Sequence, residues 1–292
     1  MKTTNTEKEN ASANKNAKST TPVQRFVLNE YTIFVKRDDL FMAEYQPAAP
    51  PLAKLRGAFP MLRNLKESKG ISKVAVFDTR VSKAGQGIAF ICRELGMECM
   101  VGFPQLVGKE PSASQKIAKQ LGARLYPLKA GRTAVCFHTF KKAAEQEGYL
   151  MLPLGLVCKD TVLAIAQETI LTLAELEREN IEIKTIVVIT GTGTIATGIH
   201  LGAVKTNVKV VGVSCGMSPA KQMQRMKQLA FPEAINWDFL KIIEPEYDYY
   251  TILGTNNCPF PTSPYYDMKA WSWLSRNLCQ VEHPVLFWNI GV

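Results

Sequence analysis

Residues 187–200 read VVITGTGTIATGIH, a β-branched run followed by a glycine-rich turn and then small residues that favour a helix. The first turn of a helix has N–H groups without partners and carries a partial positive charge, so such a turn commonly binds a phosphate. Gly191, Gly193 and Ala196 also satisfy the G-x-G-x-x-A pattern of dinucleotide-binding proteins. The stretch therefore predicts a phosphate-binding loop.

The surrounding residues argue against two common phosphate-containing ligands, dinucleotides and ATP. A dinucleotide-binding unit needs an acidic side chain about 20 residues beyond its glycines, for the ribose hydroxyls. No Asp or Glu occurs between Thr197 and Pro232, which argues against NAD and FAD. The G-x-x-x-x-G-K-[ST] motif of ATP-binding loops is absent as well. Two interpretations remain: a site for pyridoxal 5′-phosphate (PLP), and a turn with only a structural role.

The rest of the chain predicts strands that alternate with helices, which indicates an α/β fold with mostly parallel sheets. A predicted strand over residues 31–39 ends in charged residues, and the helix after Pro51 ends at Gly70, a residue type that favours the left-handed backbone of a helix end. Beyond it the predicted strands are residues 73–79, 97–104, 184–190 and 208–215, and the predicted helices are residues 84–96, 112–121, 132–147 and 161–179.

Five motifs follow one another in a recognisable order: VKRDDLF (35–41), PLAKLRGAF (51–59), the glycine loop, SPYYDMKAW (263–271) and VLFWNIG (285–291). This series resembles the tryptophan-synthase-β-like, fold-type-II PLP enzymes, and within them the branch of aminocyclopropane-carboxylate deaminase and D-cysteine desulfhydrase. The resemblance implies a two-domain α/β fold whose mostly parallel, twisted sheets are covered by helices. The expected parts are a disordered basic tail (1–22), a large cofactor-binding domain (23–56 and 159–292) and a smaller α/β domain (57–158).

The resemblance also assigns roles around the cofactor. Lys54 corresponds to the lysine that binds PLP covalently and can later move a proton at the substrate Cα. Asp267 corresponds to the residue that faces the ring nitrogen, where a carboxylate would keep that nitrogen protonated. Tyr266 has the motif's tyrosine position, so we expect it beside the substrate, as a substrate-binding and catalytic residue. By residue type alone, Lys54 could be a solvated lysine and Asp267 an acid at a helix N-terminus. The phosphate is expected at Gly191, Thr192, Gly193 and Thr194.

The substrate side departs from the family pattern. In the deaminase branch a Ser-Asn-His loop holds the carboxylate of a free amino acid. Here the stretch reads DTRVSKAGQG (78–87), which keeps Ser82, places Lys83 and Ala84 at the Asn and His positions, and adds Arg80. We expect Arg80, Ser82 and Lys83 to bind the substrate, through its carboxylate or through a DNA phosphate. The residues expected to bind the cofactor thus match the family pattern, whereas those expected to bind the substrate differ from it.

Two further features bear on the substrate. Asn289 and Ile290 stand where the deaminase branch has His-Thr. The string PPLAKLRG with DTRVSKAGQG also resembles PLP enzymes of bacteriophage gene clusters that build hypermodified thymines. The leading hypothesis is a PLP lyase that decarboxylates an amino acid attached to thymine in phage-type DNA. The alternatives are a deaminase or desulfhydrase of a small free amino acid, and a non-catalytic basic protein that binds nucleic acid on a PLP fold.

Bulk properties are compatible with all three hypotheses. The net charge of +9 suits an anionic partner such as DNA, but it also describes many soluble basic proteins. The N-terminus has no apolar segment typical of a secretion signal, and no membrane span is expected, so we expect a cytoplasmic protein, in the host cytoplasm if phage-encoded. Three isolated histidines and scattered cysteines predict no metal site. Assembly into a homodimer is a further hypothesis.

Overall fold

The computed structural model of the chain describes residues 20–230, 235–244 and 246–291. The predicted tail of residues 1–22 therefore lies mostly outside the described residues. Its last part is packed: Thr21 is buried, and its backbone N–H donates to the Glu168 carboxylate at 3.0 Å. The packed chain thus begins before residue 23. The predicted boundary rested on composition, which does not show that Thr21 hydrogen-bonds to a buried carboxylate.

Strands and helices alternate along most of the chain. In chain order the elements are β1 (Val23–Leu28), β2 (Tyr31–Arg37), α1 (Leu55–Lys69), β3 (Lys73–Phe77), α2 (Ala84–Leu95), β4 (Glu98–Gln105), α3 (Ala113–Gln120), β5 (Arg124–Lys129), α4 (Thr133–Gln146), β6 (Leu150–Met151), α5 (Lys159–Arg178), β7 (Thr185–Thr190), α6 (Thr194–Ala203), β8 (Lys209–Ser214), α7 (Pro219–Leu229), β9 (Leu240–Ile243), α8 (Asp267–Arg276) and β10 (Val285–Asn289). Short 3₁₀ turns connect several of them. The predicted α/β class is confirmed.

The strands form two sheets. The smaller sheet has the order β5–β4–β3–β6 and is parallel throughout. The larger sheet has the order β1–β2–β10–β7–β8–β9, in which only the β1–β2 pair is antiparallel. Because parallel strands all end at the same edge of a sheet, the helices that follow them begin side by side at that edge.

The larger sheet is buried on both faces, as expected for parallel strands with helices on either side. Successive side chains of β7 point to opposite faces. Ile186 and Val188 pack in one cluster with Ile199 of α6, whereas Val187 packs in a second cluster with Trp271 of α8. The strand that leads into the glycine loop is therefore fixed from both sides.

Charged residues at the end of β2 are also buried, and they are paired. Asp38 forms an ion pair with Arg56 of α1 at 2.6 Å and accepts the Trp288 indole N–H at 3.0 Å. Asp39 accepts a hydrogen bond from the Asn289 amide at 2.8 Å. Burial alone raises the pKa of Asp38, but the Arg56 guanidinium holds it below its usual range. Asn289 thus has a structural role that joins β10 to the end of β2.

Among the described residues, no helix combines the length and apolar character that a membrane crossing requires. The same residues contain no group of three His, Cys, Asp or Glu side chains arranged to hold a metal ion. All seven cysteines are free thiols. Four of them are buried, whereas Cys279 is exposed.

Candidate active site

A cavity of about 930 Å³ lies between the two sheets. Phe77 and Thr190, the last residues of β3 and β7, line it, as do Ala84 and Thr194, the first residues of α2 and α6. The cavity therefore lies at the carboxyl ends of the parallel strands, where ligands bind in open α/β sheets. All the residues that the sequence predicts for the site line this one cavity: Lys54, Arg80, Ser82, Lys83, Gly191, Thr192, Gly193, Thr194, Tyr266 and Asp267.

Lys54 directly precedes α1 and extends its amine into the cavity. Its Nζ donates to the Gly155 carbonyl at 2.6 Å and to Thr192 Oγ1 at 3.2 Å. Burial lowers the pKa of Lys54 to about 8, and the nearby positive charge of Arg225 acts in the same direction. A lysine of this kind supplies a neutral amine near physiological pH, which is what attack on an aldehyde requires.

Gly155 holds Lys54 against the glycine loop. Its backbone has a φ of 69°, and a Cβ built there would lie 2.8 Å from Thr192 Cγ2 and 3.9 Å from Lys54 Nζ. Any side chain would therefore be strained and would also displace the Thr192 side chain, whereas the distance to Lys54 is an ordinary contact. The contact brings the end of the small sheet, after β6, onto the loop of the large sheet.

The glycine loop connects β7 to α6 as predicted. No hydrogen bond to another described residue uses the backbone N–H groups of Gly191, Thr192 or Gly193, whereas the Gly193 carbonyl accepts the Thr197 N–H at 2.8 Å as α6 begins. The Thr192 and Thr194 hydroxyls lie 3.1 Å apart. Donors without partners beside a helix N-terminus suit an anion such as a phosphate.

Helix α7 supports this loop from outside. Gln222 is fully buried, and its amide donates to the carbonyls of Thr190 at 2.8 Å and Gly191 at 3.0 Å. Gly193 has a φ of 87°, and a Cβ there would lie 2.6 Å from Met226 Cγ. The two glycines thus differ in role, because Gly191 has open space around it and Gly193 allows α7 to pack closely.

Asp267 lies on another wall of the cavity, as the first residue of α8. It is 1% exposed, and its Oδ1 accepts the Ile290 backbone N–H at 2.9 Å. Burial raises the pKa of Asp267 to about 7, and the carboxylate of Asp39 contributes in the same direction. Asp267 therefore has its hydrogen bonds on the protein side and a carboxyl group able to gain or lose a proton near neutrality.

Tyr266 is joined to a second tyrosine. Its hydroxyl lies 2.6 Å from that of Tyr249, and the two rings meet edge to face. Burial raises the pKa of Tyr266 far above its usual value, so the phenol is protonated at neutral pH. Lys269, itself buried, donates to the Tyr249 carbonyl at 3.0 Å and so holds the segment that carries this partner.

The loop before α2 is held by Asp78, which is buried just after β3. Its two carboxylate oxygens accept the backbone N–H groups of Thr79 and Gly85, each at 2.9 Å. The Ser82 hydroxyl also bonds to Asp78 and accepts the Ala84 N–H at 3.1 Å. Burial raises the pKa of Asp78 to about 6. Ser82 therefore shapes the loop in addition to lining the cavity.

Two cations of the same loop lie at different depths. Arg80 is exposed at the cavity mouth, and its guanidinium donates to the Glu110 carbonyl at 3.1 Å. Lys83 is partly buried, which lowers its pKa, while the nearby Asp267 raises it. Lys83 therefore interacts electrostatically with the Asp267 carboxyl group, whereas the Arg80 side chain is exposed to solvent.

Several residues of this site were not selected from the sequence: Asp78, Gly155, Gln222, Arg225 and Tyr249. Each of them lies in an element whose local pattern looks ordinary. Gly155 had the clearest signal, since an isolated glycine often marks a close approach of the backbone to another group. Gln222 and Arg225 lie on a polar helix, and only the tertiary structure shows which side of it faces the loop.

The residues present fit PLP on observations of this structure. Lys54 supplies an amine with a pKa near neutrality, the glycine loop supplies unpaired N–H donors for a phosphate, and Asp267 supplies a buried carboxyl group on a different wall. Pockets for ligands of drug size have volumes of about 300–1,000 Å³, so the cavity of about 930 Å³ is at the large end of that range. It has room for a cofactor and a second molecule.

Comparison with known sequences identifies the family. A model described as "Pyridoxal-phosphate dependent enzyme" matches residues 53–235. The curated protein "Glycyl-dTMP PLP-dependent decarboxylase" of Pseudomonas phage M6 is 32% identical to this chain over 285 residues, which cover 93% of this chain and 98% of the phage protein.

Comparison with solved structures concerns the fold. An ACC deaminase homologue superposes with a TM-score of 0.76 at 18% identity, covering 94% of this chain and 90% of the other. A hydrogen sulfide-producing enzyme from Fusobacterium nucleatum gives 0.67 at 15% identity, covering 94% of each chain. The predicted fold-type-II architecture is confirmed. This chain belongs to the family of pyridoxal-phosphate-dependent enzymes, and pyridoxal phosphate is its cofactor.

Proposed function

We propose that this enzyme decarboxylates an amino acid attached to a thymine base in DNA. The observation that carries the proposal is the contrast within one cavity between a complete set of cofactor residues and a substrate loop in which Lys83 and Arg80 accompany the retained Ser82. The phage M6 relative, whose name gives glycyl-dTMP as its substrate, supports the same reaction. In a phage-encoded enzyme the reaction takes place in the host cytoplasm.

When bound, PLP withdraws electrons from the substrate Cα and so allows a bond at that carbon to break. Lys54 would hold the cofactor covalently through Nζ. The Thr192 hydroxyl and the Gly155 carbonyl contact Nζ and would keep the amine in the cavity. The same amine would move a proton at the substrate Cα.

The remaining cofactor contacts would come from two other parts of the cavity lining. The N–H groups of Gly191 and Gly193 and the hydroxyls of Thr192 and Thr194 would bind the phosphate. The Asp267 carboxylate would hold the ring nitrogen and stabilise its protonated form. The hydrogen bond from the Ile290 N–H keeps the Asp267 carboxyl group oriented toward the cavity.

The changed loop places the substrate. Lys83 binds the carboxylate that is to be lost, Arg80 at the exposed mouth contacts the nucleic-acid backbone, and the Ser82 hydroxyl fixes the turn between them through Asp78. Tyr266 lies beside the substrate with its proton retained. Orientation decides the reaction, because the bond perpendicular to the cofactor ring is the one whose electrons can be withdrawn.

The proposed reaction balances simply. The bond between Cα and the carboxylate breaks, CO₂ leaves, and the electron pair that stays at Cα takes up a proton delivered from Lys54 Nζ. The product is the corresponding amine, still attached to the base. No oxidant or reductant is needed.

The reaction can be tested with DNA that contains an amino-acid-modified thymine. We expect released CO₂ and a nucleoside lighter by one CO₂ in mass spectrometry, no turnover with Lys54→Ala, and normal turnover with the exposed-residue control Lys69→Ala. Borohydride reduction followed by peptide mapping should label Lys54. A label on Lys83, the other lysine that lines the cavity, would overturn the assignment of the cofactor lysine.

A deaminase or desulfhydrase of a small free amino acid is the second candidate, favoured by the retention of Ser82 from the deaminase loop. Ammonia or sulfide from free amino acids, together with no CO₂ from modified DNA, would favour it over the decarboxylase. Gel filtration of the enzyme with and without cofactor tests the homodimer hypothesis.

A further inference from the structure

One face of helix α7 covers the glycine loop. Residues three and four positions apart share a face of a helix, so Gln222, Arg225 and Met226 point the same way. Gln222 donates hydrogen bonds to two carbonyls at the start of the loop, and Met226 packs against Gly193. Arg225 lies between these two contacts in sequence and lines the cavity.

Arg225 has no anionic partner in the described part of the chain, since none of the salt bridges found there includes it. Its side chain is partly buried, and a guanidinium taken out of water is costly unless it is paired. The positive charge of Arg225 also lowers the pKa of Lys54, and both residues line the same cavity.

We propose that Arg225 is a phosphate contact of the cofactor, supplied by α7 from outside the glycine loop. The loop alone offers neutral donors in Gly191, Thr192, Gly193 and Thr194. A phosphate monoester carries close to two negative charges at neutral pH, and a guanidinium can bind it with two parallel hydrogen bonds. Arg225 thus supplies the charge that the loop lacks.

The alternative source of a phosphate is the backbone of a nucleic-acid substrate. The geometry favours the cofactor, because the residues that flank Arg225 on its helix face, Gln222 and Met226, contact the loop itself and not the cavity mouth. The inference rests on the phosphate position that we propose for the glycine loop. It does not depend on which substrate the enzyme decarboxylates.

The test measures affinity for PLP and for pyridoxal, which lacks the phosphate, in protein from which bound cofactor has been removed. Arg225→Met should weaken PLP binding by about 10- to 100-fold, the usual value of a charge-assisted contact. Pyridoxal affinity should change far less, since it reports only the effect of Arg225 on Lys54. The PLP affinity of Arg225→Lys should be intermediate, because a lysine keeps the positive charge but cannot donate two parallel hydrogen bonds as a guanidinium does. Lys227→Met, exposed on the same helix, is the matched control.

Equal PLP affinity in Arg225→Met and in the control would overturn the proposal. So would an equal loss for PLP and pyridoxal, which would reduce Arg225 to an electrostatic effect on Lys54. An unchanged PLP affinity with a shallower salt dependence of DNA binding would assign Arg225 to the nucleic acid instead. Thermal unfolding of each cofactor-free variant separates these outcomes from loss of fold. Thr192→Val, measured for both PLP and pyridoxal, tests the loop position. A loss for PLP alone would support the phosphate position, and an equal loss for both would contradict it, because Thr192 would then act only through its contact with Lys54.

Discussion

The pH dependence of cofactor binding should report the surroundings of Lys54 directly. Attack on the aldehyde of PLP requires the neutral amine. With the ordinary pKa of 10.5, about one lysine in 3,000 is neutral at pH 7, whereas with a pKa of about 8 about one in ten is. The cavity therefore raises the reactive fraction at pH 7 by about 300-fold.

The sign of the effect follows from its main cause. Burial disfavours the charged amine, and the Arg225 guanidinium opposes a second positive charge nearby. The rate of cofactor attachment should rise about tenfold for each pH unit below the pKa and level off above pH 8 to 9. Arg225→Met removes one of the two causes that lower the pKa of Lys54, so the midpoint of its profile should move to higher pH.

A stopped-flow experiment can measure this profile. Cofactor-free protein is mixed with excess PLP at a series of pH values, and the visible absorbance of the enzyme-bound cofactor is followed. Nα-acetyl-lysine, in which only the side-chain amine is free, provides the reference profile under the same conditions. A midpoint above pH 10, indistinguishable from that of Nα-acetyl-lysine, would refute the reasoning, because it would mean that the Lys54 amine remains solvated.

Three other variants test separate parts of the site. Asp267→Asn should retain the cofactor but lower turnover by about 10- to 100-fold, through loss of a charge-assisted hydrogen bond; unchanged turnover would leave Asp267 as an acid at a helix end. Lys83→Ala, assayed at two salt concentrations on DNA, should change the product or kcat with a normal salt slope if Lys83 binds the carboxylate; a shallower slope would assign it to a phosphate. Gly155→Ala should lower the free energy of unfolding by about 1–3 kcal/mol and weaken cofactor binding, because its Cβ meets Thr192. Gly148→Ala, with a similar φ but open space around it, should cost only the backbone strain of about 1 kcal/mol, and equal effects of the two would contradict the steric argument.

Local patterns predicted the elements that carry the most regular periodicity. The loop between β7 and α6 and the helix that ends at Gly70 lie where the sequence puts them, since backbone preferences of glycine act within a few residues. Strands β1 and β9 were not identified. Both lie at the edges of the large sheet, where half-exposed residues weaken the apolar signal.

The sequence predicted which motifs form the candidate site but not the contacts and charges between their residues. Lys54 and Asp267 came from family resemblance, and the structure adds what tunes their pKa values, namely burial together with Arg225 for one and Asp39 for the other. Neither partner is a neighbour in sequence. Arg225 looks like any basic residue on a polar helix, because the face that it shares with Gln222 is defined only when α7 is docked.

The order of strands in the large sheet has a consequence for synthesis of the chain. The small sheet uses residues 73–151 and can form while the chain is still being made, whereas β10 lies between β2 and β7 and comes from residues 285–289. Until those residues leave the ribosome, the Asp38 carboxylate lacks the Trp288 indole N–H, which is one of its hydrogen-bond donors. Strands β2 and β7 also lack the strand that lies between them. Nascent chains stopped before β10 should therefore fail to capture pyridoxal phosphate, although the cofactor lysine itself was synthesised early.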